Sequence, residues 1–278
     1  MDRVDITRIL PEECIGRIIS ATSPPDACRL SLVSRVFRSA ATSNLVWERF
    51  LPPEYEQIIS EAVSTSSLPL STLPKKDLFF HLCDNPILIG DGNMSFAMDK
   101  LYGKKCYMLA AREIAIIWGD DPLHWKWIPS VGPPFAPKSR FSEVAFLVDV
   151  RYLDLQGKIE SKMLSSNTTY GAYFVYTLAT PVYGFRQPVK VSVRFQNGLF
   201  ATDTTNAYLQ YRKWIDRAER GEGQTFPRRR EDMWMEIEMG EIFIGKVDRV
   251  VEMRLREIEV LNSKSGLVIH GIELRPKH

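Results

Sequence analysis

The period of the apolar pattern changes near residue 87, and a chain that changes period is not one uniform layer of helices or of strands. Before that point apolar residues recur every three or four positions; after it they alternate. Alternation is clearest at Val144, Phe146, Val148, Val150 and Tyr152, at Tyr170, Ala172, Phe174, Tyr176 and Leu178, and at Val189, Val191, Val193 and Phe195. Met235, Ile237 and Met239, the region Val250–Val260 and the stretch Val268 to Leu274 continue it. Side chains two apart share one face of a strand. These runs are short and separated by Gly, Pro and Asn, so they indicate an antiparallel sandwich or barrel rather than βαβ units. Within Val250–Val260 the parity changes between Leu255 and Ile258, and a bulge near Arg256 is expected to absorb the change.

Residues 9–51 carry short helical signals instead. Pro11 with Glu12 and Glu13 opens a helix with the favoured residue and charge. Leu10, Cys14, Ile15, Ile18 and Ile19 follow at helical spacing. Ser23-Pro24-Pro25-Asp26 stops that helix and starts another through Ala27, Leu30 and Val33. Ser34 is placed to cap a third, with Val36, Phe37 and Ala40 on its apolar side, and Asn44 precedes Leu45, Trp47, Phe50 and Leu51. A segment this small buries only a modest core, so some of its large apolar residues are expected to serve a partner. Residues 52–86 read as a helical connection: Pro52-Pro53 breaks the chain, Glu54 to Val63 has helical spacing, Ser64–Ser67 is flexible, and Pro74-Lys75-Lys76-Asp77 opens a second short helix.

Cys106 to Trp127 concentrates three of the six tryptophans: Trp118, Trp125 and Trp127. Between the first two, Gly119-Asp120-Asp121-Pro122 is a strong turn signal, with Asp121 as N-cap and Pro122 at the first helical position. Two indoles across a tight bend can form a cleft wall that stacks on a sugar ring. The alternative is that all three are core, since large aromatics are mostly buried.

Composition removes several classes of function. A net charge of +2 over 278 residues does not make a nucleic-acid surface. No apolar run is long enough to cross a bilayer, and the N-terminus lacks a signal peptide's apolar centre, so an intracellular place is expected, in cytoplasm or nucleus. The four scattered cysteines suit reduced thiols rather than a metal site or disulfide framework.

The helical pattern resembles an F-box. The matching residues are Leu10-Pro11-Glu12-Glu13, Ile15 and Ile18, Pro24 through Asp26, Leu30-Ser31-Leu32-Val33-Ser34-Arg35, Phe37-Arg38 and Leu45-Val46-Trp47. F-box families use this three-helix unit to dock on the Skp adaptor of a cullin-based ubiquitin ligase. The resemblance implies that Leu10, Pro11, Ile15, Ile18, Leu30, Val33 and Phe37 make that contact. Its alternative is a helical cap folded onto the next domain.

From about residue 87 to 277 the chain resembles the phloem protein 2 domain of Nictaba-type plant lectins. The motif residues are Ser95 to Lys100, Gly103 to Leu109, Ile116-Ile117-Trp118-Gly119-Asp120, Pro122, Trp125, Arg140 to Ala145, Asp232 to Glu238, and Ser265 to Lys277. An F-box followed by this domain is similar to the plant F-box proteins of phloem protein 2-B type. The resemblance implies an α+β chain of two domains: a three-helix F-box at 1–51, a helical linker at 52–86, and at 87–278 a mostly antiparallel, lectin-like β-sandwich of jelly-roll type. Lectins of this family bind N-acetylglucosamine oligomers or N-glycan cores, and the resemblance places Trp118 and Trp125 at such a site. A family carboxylate near Asp232–Glu238 would fall on Glu236, Glu238 or Glu241, of which Glu241 is favoured; solvated outward positions are the alternative for each. His124 stands where relatives often have Tyr.

No arrangement of residues points to catalysis. His81, His124, His270 and His278 are dispersed, and no nucleophile elbow or P-loop is present. His270 reads as a satisfied core or edge residue, and Arg228-Arg229-Arg230 as a solvated loop. The expectation is a non-catalytic substrate-recognition subunit of an SCF-type ubiquitin ligase, without cofactor or metal. Its partners are then a Skp-type adaptor and a target protein, including one bearing GlcNAc-type glycans, with no nucleic acid and no membrane. The alternative is an intracellular carbohydrate-binding lectin acting without the ligase.

Overall fold

The computed structural model describes residues 10–63, 70–130, 136–196, 204–210 and 223–278. The stretch 64–67, expected to be flexible, lies outside the described residues. The chain divides into two compact units, Met1–Gly90 with Phe96–Cys106, and Asp91–Ser95 with Tyr107–His278.

The first unit is helical: α1 Glu12–Ser20, α2 Pro24–Leu30, α3 Arg35–Thr42, α4 Asn44–Phe50, α5 Tyr55–Ser60 and α6 Lys75–Asp84. Its caps follow from the sequence. Ser23 Oγ accepts the Asp26 amide with Pro24 and Pro25 in the first turn, and Ser34 Oγ accepts the Phe37 amide at 3.2 Å. α2 stops at Leu30, so Val33 falls in the turn before α3 and not on a helix. Ile15, Ile19, Ala27 and Val46 are buried around Trp47, whose indole N–H donates to Ala41 O at 2.7 Å. The other half of this core comes from residues expected to be a linker. Phe79 and Phe80 of α6 lie 5.3 and 5.1 Å from the Trp47 ring, and Leu78, Phe79 and Leu82 are fully buried. α6 completes the shell around Trp47, which is why it packs with the preceding helices instead of spanning free. Gly103, at φ 65°, is required where a Cβ would approach Phe50 O to 2.9 Å.

Strands follow in order: β1 Ile87–Ile89, β2 Met94–Met98, β3 Lys105–Ala110, β4 Ala115–Ile116, β5 Trp125–Pro129, β6 Glu143–Leu147, β7 Leu153–Glu160, β8 Thr168–Tyr183, β9 Val189–Phe195, β10 Thr205–Ala207, β11 Gln224–Thr225, β12 Arg228–Arg229, β13 Met235–Ile244, β14 Val250–Glu257 and β15 Ser265–Pro276. In the second unit they form two sheets. One runs β3-β15-β8-β13-β12, with β6 on β15 and β5 on β6; the other runs β11-β10-β9-β14-β7-β4. The pairings within these two sheets are antiparallel except the parallel contact of β10 with β11. The sheets face each other as a sandwich rather than closing as a barrel. A Cβ at Gly157 of β7 would meet Ile272 and Leu109 of the opposite sheet, and one at Gly240 of β13 would meet Val193 of β9.

The expected parities hold at Tyr170, Ala172, Phe174 and Tyr176 and at Val189, Val191 and Val193, all buried. They do not hold along Val144–Tyr152, where β6 ends at Leu147, Ala145 and Leu147 are buried, and Phe146, Val148 and Tyr152 are not. The expected bulge near Arg256 is absent. β14 keeps continuous register with β7 through Glu257, and the chain then leaves the sheet before Ile258. The register shifts sit elsewhere, between Glu238 and Gly240 in β13 and, in β15, between Ser265 and Leu267 and between Ile269 and Gly271. Gly271 is needed there because a Cβ would lie 2.0 Å from Leu109 O of β3.

Candidate functional site

On the helical unit, large apolar side chains remain exposed: Ile18 at 56%, Leu32 at 76%, Val33 at 64% and Leu45 at 45%. Pro11 is exposed, and Leu10, Leu30 and Phe37 are half-buried. Ile15 is different. At 2% exposure it is core, packed inside the helices, and its side chain is not available to an adaptor. Helical spacing put Ile15 and Ile18 in one list, whereas α1 turns the first inward and the second outward.

In the β-unit the tryptophan segment forms a clamped turn. After β4, Gly119 N donates to Ile116 O at 2.9 Å, Asp121 N to Trp118 O at 3.0 Å and His124 N to Asp121 O at 2.9 Å. Asp121 caps as expected, its Oδ1 accepting Leu123 N at 2.9 Å. The indole N–H of Trp125 donates back to Ile117 O at 3.1 Å and that of Trp127 to Gly119 O at 3.0 Å. Two tryptophans therefore hold the carbonyls of the two residues on either side of the third. Trp125 is 1% exposed, so its ring faces the interior and cannot stack on a sugar. Trp127, read as a core candidate, is instead half-buried, with the Arg112 guanidinium 3.6 Å over its ring. Arg112 is held there by Glu143 at 2.7 and 2.9 Å.

Trp118 is the ring left outside, at 41% exposure and with φ 55°. A bulky residue in the left-handed region is an outlier that persists only when its surroundings impose it. His124 lies 5.1 Å from the Trp118 ring and Tyr152 6.0 Å, while Ile117 and Leu123 are exposed beside them. Near this turn an open groove of about 470 Å³ is lined by Arg112, Asp120, Trp127, Asp154, Gln156 and Arg254. Arg254 holds Asp154 in a two-point ion pair at 2.6 and 2.8 Å.

Glu241 does not join Trp118. It lies on β13, paired with Lys277 at 2.9 Å, and Lys277 also takes Glu238. β13 packs over β9, which is separated from β4 by β14 and β7. Three strand spacings put the two roughly 14 Å apart before sheet thickness is counted. Glu236 is likewise committed, with Arg275 at 2.6 Å and Arg230 at 2.9 Å. Sequence reasoning found Trp118 but missed Tyr152 and Leu123. Their signal was present only as alternation and turn, and the fold brings them together.

The most perturbed titratable group lies apart from this surface. His270 is buried against Trp234 (4.4 Å, near-parallel) and Phe141 (5.4 Å), and neither ring nitrogen has a hydrogen-bond partner. It is therefore core but not satisfied. Burial, then Arg140 and Arg230, hold its pKa well below the ordinary imidazole value of 6.5. Burial also works against the Glu273 carboxylate, but Arg230 and Arg275 bring it below its usual range. Among the described residues no cluster of three or more His, Cys, Asp or Glu could hold a metal ion.

The chain thus joins a helical unit that exposes large aliphatic side chains to a two-sheet unit with a clamped tryptophan turn. The F-box-like family model matches residues 7–52 and the phloem protein 2 model residues 104–276. The chain belongs to the plant F-box proteins that carry a phloem protein 2 domain. Similar Arabidopsis thaliana proteins include F-box protein At2g02240, 41% identical over 96% of this chain and 79% of that one, and putative F-box protein PP2-B8, 41% identical over 96% and 86%. F-box protein PP2-B10 is 40% identical over 96% and 92%. Among solved structures, a family 35 carbohydrate-binding module from Clostridium thermocellum is 11% identical over 61% of this chain and 96% of that one, with a TM-score of 0.32, too slight to bear on function.

Proposed function

We propose that the chain is the substrate-recognition subunit of an SCF-type ubiquitin ligase. The helical unit would hold a Skp-type adaptor through Pro11, Ile18, Leu32, Val33 and Leu45, with Leu10, Leu30 and Phe37 at the margin of the contact. The observation that carries this reading is the pairing, on one chain, of the F-box-like match with large aliphatic side chains left exposed on its small helical unit. The β-unit would capture the target at the Trp118 turn. No bond is made or broken by the chain itself. It raises the effective concentration of target at the ligase by carrying two binding surfaces. Cytoplasm or nucleus is the compartment such a role requires.

The test is co-purification of the chain with a Skp adaptor, wild type against a double Ile18→Asp, Val33→Asp variant. Both positions are solvent-exposed, so the variant keeps its fold. Adaptor retained by wild type and lost by the variant is expected; no adaptor with wild type overturns the reading. A second reading, an intracellular lectin working without the ligase, is favoured by the exposed Trp118 indole. It predicts glycan-array binding that is lost in Trp118→Ala and no adaptor in the purification.

A further inference from the structure

The two rings beside Trp118 are placed by a segment behind them. His124, 5.1 Å from the indole, is hydrogen-bonded through Nδ1 to Asp149 O at 2.8 Å, and its own carbonyl accepts Val148 N at 2.9 Å. Tyr152, 6.0 Å from the indole, belongs to the same stretch of chain. Both rings therefore stand where residues 148–152 put them. That stretch lies between strands, since β6 ends at Leu147 and β7 begins at Leu153. It is bridged at Val150 to Lys264, whose amide donates to Val150 O at 2.8 Å and whose carbonyl accepts Val150 N at 3.0 Å.

The Lys264 side chain completes the attachment. It is 1% exposed, and its ammonium donates to Arg151 O at 2.9 Å, Val260 O at 2.8 Å and Asn262 O at 3.1 Å while pairing with buried Glu257. Glu257 Oε1 accepts the amides of Glu259 and Val260 at 3.1 and 2.8 Å, and Ser263 Oγ donates to Asp149 Oδ1. Gly184, at φ 83°, makes room for the stem, because a Cβ there would lie 2.7 Å from Lys264 Cγ. One ammonium thus ties the loop 258–263 to the segment that carries Asp149 and Tyr152. A buried ion pair is often no more stabilising than apolar residues of similar volume, and methionine would fill the same space. Methionine has no donors for carbonyls on two different loops, and those directed bonds are what fix a surface built on loops. We propose that Lys264 is a positioning residue for recognition at the Trp118 turn. Through Arg151 O and the Val150 bridge it places Asp149 and Tyr152, which set His124 and the phenol against the indole. This rests on the reading that the β-unit captures its target at Trp118, and it names what keeps that surface in shape.

The test uses the full chain. Lys264→Met alone leaves Glu257 without its cation, so the informative variant is the double Lys264→Met, Glu257→Gln. It holds no unpaired charge at the site and keeps an oxygen for the amides of Glu259 and Val260. Its melting temperature is expected close to that of wild type. Trp118 emission is isolated as the difference between each chain and the same chain carrying Trp118→Phe, and acrylamide is the probe. Quenching is expected to rise at least twofold in the double variant, because His124 and Tyr152 no longer shield the ring. In affinity purification from the tissue that expresses the chain, proteins kept by wild type and lost from Trp118→Ala define the Trp118-dependent set. Their yield is expected to fall tenfold or more in the double variant, with the Skp adaptor unchanged. Ser263→Ala, at an exposed position, removes only the hydroxyl tie to Asp149 and serves if the double variant melts lower. It is expected to move quenching and yield the same way, the yield by at least threefold. Wild-type quenching or wild-type yield in the variant that melts like wild type overturns the proposal and leaves the capture reading standing. A Trp118→Ala chain that loses no protein overturns that reading, and the proposal with it.

Discussion

Trp118 holds a left-handed backbone that its side chain opposes, and the resistance comes from its neighbours. The carbonyls on either side, of Ile117 and Gly119, accept the indole N–H groups of Trp125 and Trp127. Placing a bulky L-residue at φ 55° costs about 1–2 kcal/mol. A glycine there escapes the cost, so Trp118→Gly is expected to be more stable than Trp118→Ala by about 1 kcal/mol, although both lose target capture. Chemical denaturation of the two variants side by side checks this; equal stability would mean the turn is not strained. His270 yields a second prediction. It faces Trp234 and Phe141, with Arg140 and Arg230 acting on it, and around Arg230 and Arg275 the acids Asp232, Glu236 and Glu273 are already paired. The folded chain therefore refuses a proton that the unfolded chain accepts near pH 6.5. Stability is unaffected above that value and falls below it, by at most about 1.4 kcal/mol per pH unit, until the folded pKa is reached. Melting temperatures between about pH 7.5 and 5 should show the slope in wild type and lose it in His270→Leu.

At the scale of elements, β14 and β15 are joined by a loop pinned from inside. Lys264, 1% exposed, pairs with buried Glu257 and donates to the carbonyls of Arg151, Val260 and Asn262. Lys264→Met leaves Glu257 buried without its cation, and a loss of about 3–5 kcal/mol in unfolding free energy is expected. Unfolding within 1 kcal/mol of wild type would show that Glu257 simply protonates. The strand pattern around this loop was legible because inner and outer residues alternate along Val189–Phe195 and Tyr170–Leu178. Its bulges were not. They depend on what lies opposite Gly240 and Gly271, and a parity change at Ile258 looks the same whether a strand bulges or ends. The helical caps at Ser23 and Ser34 were legible for a similar reason, since a cap needs only residues three apart. The enlistment of α6 was not, because covering Trp47 is a contact between residues distant in the chain. Trp125 and Trp127 share a parity, so which indole is buried was decided by depth under the turn, and sequence carries no depth.

At the scale of the whole molecule, two units on one chain carry two different kinds of surface. The helical one exposes aliphatic residues, and the β-unit exposes one tryptophan held in a left-handed backbone. Both ends were legible as family motifs, whereas the expected sugar site was dispersed. Trp118 stayed exposed, Trp125 went to the core, and Glu241 took Lys277 on the other sheet. The central claim is that these surfaces recruit separate partners at the same time. Affinity purification of the full chain from the tissue that expresses it measures this most directly, comparing wild type, Val33→Asp and Trp118→Ala. The account predicts that wild type retains a Skp adaptor and a target together, Val33→Asp loses the adaptor and keeps the target, and Trp118→Ala does the reverse. Loss of both partners in either variant, or of neither in both, would contradict it.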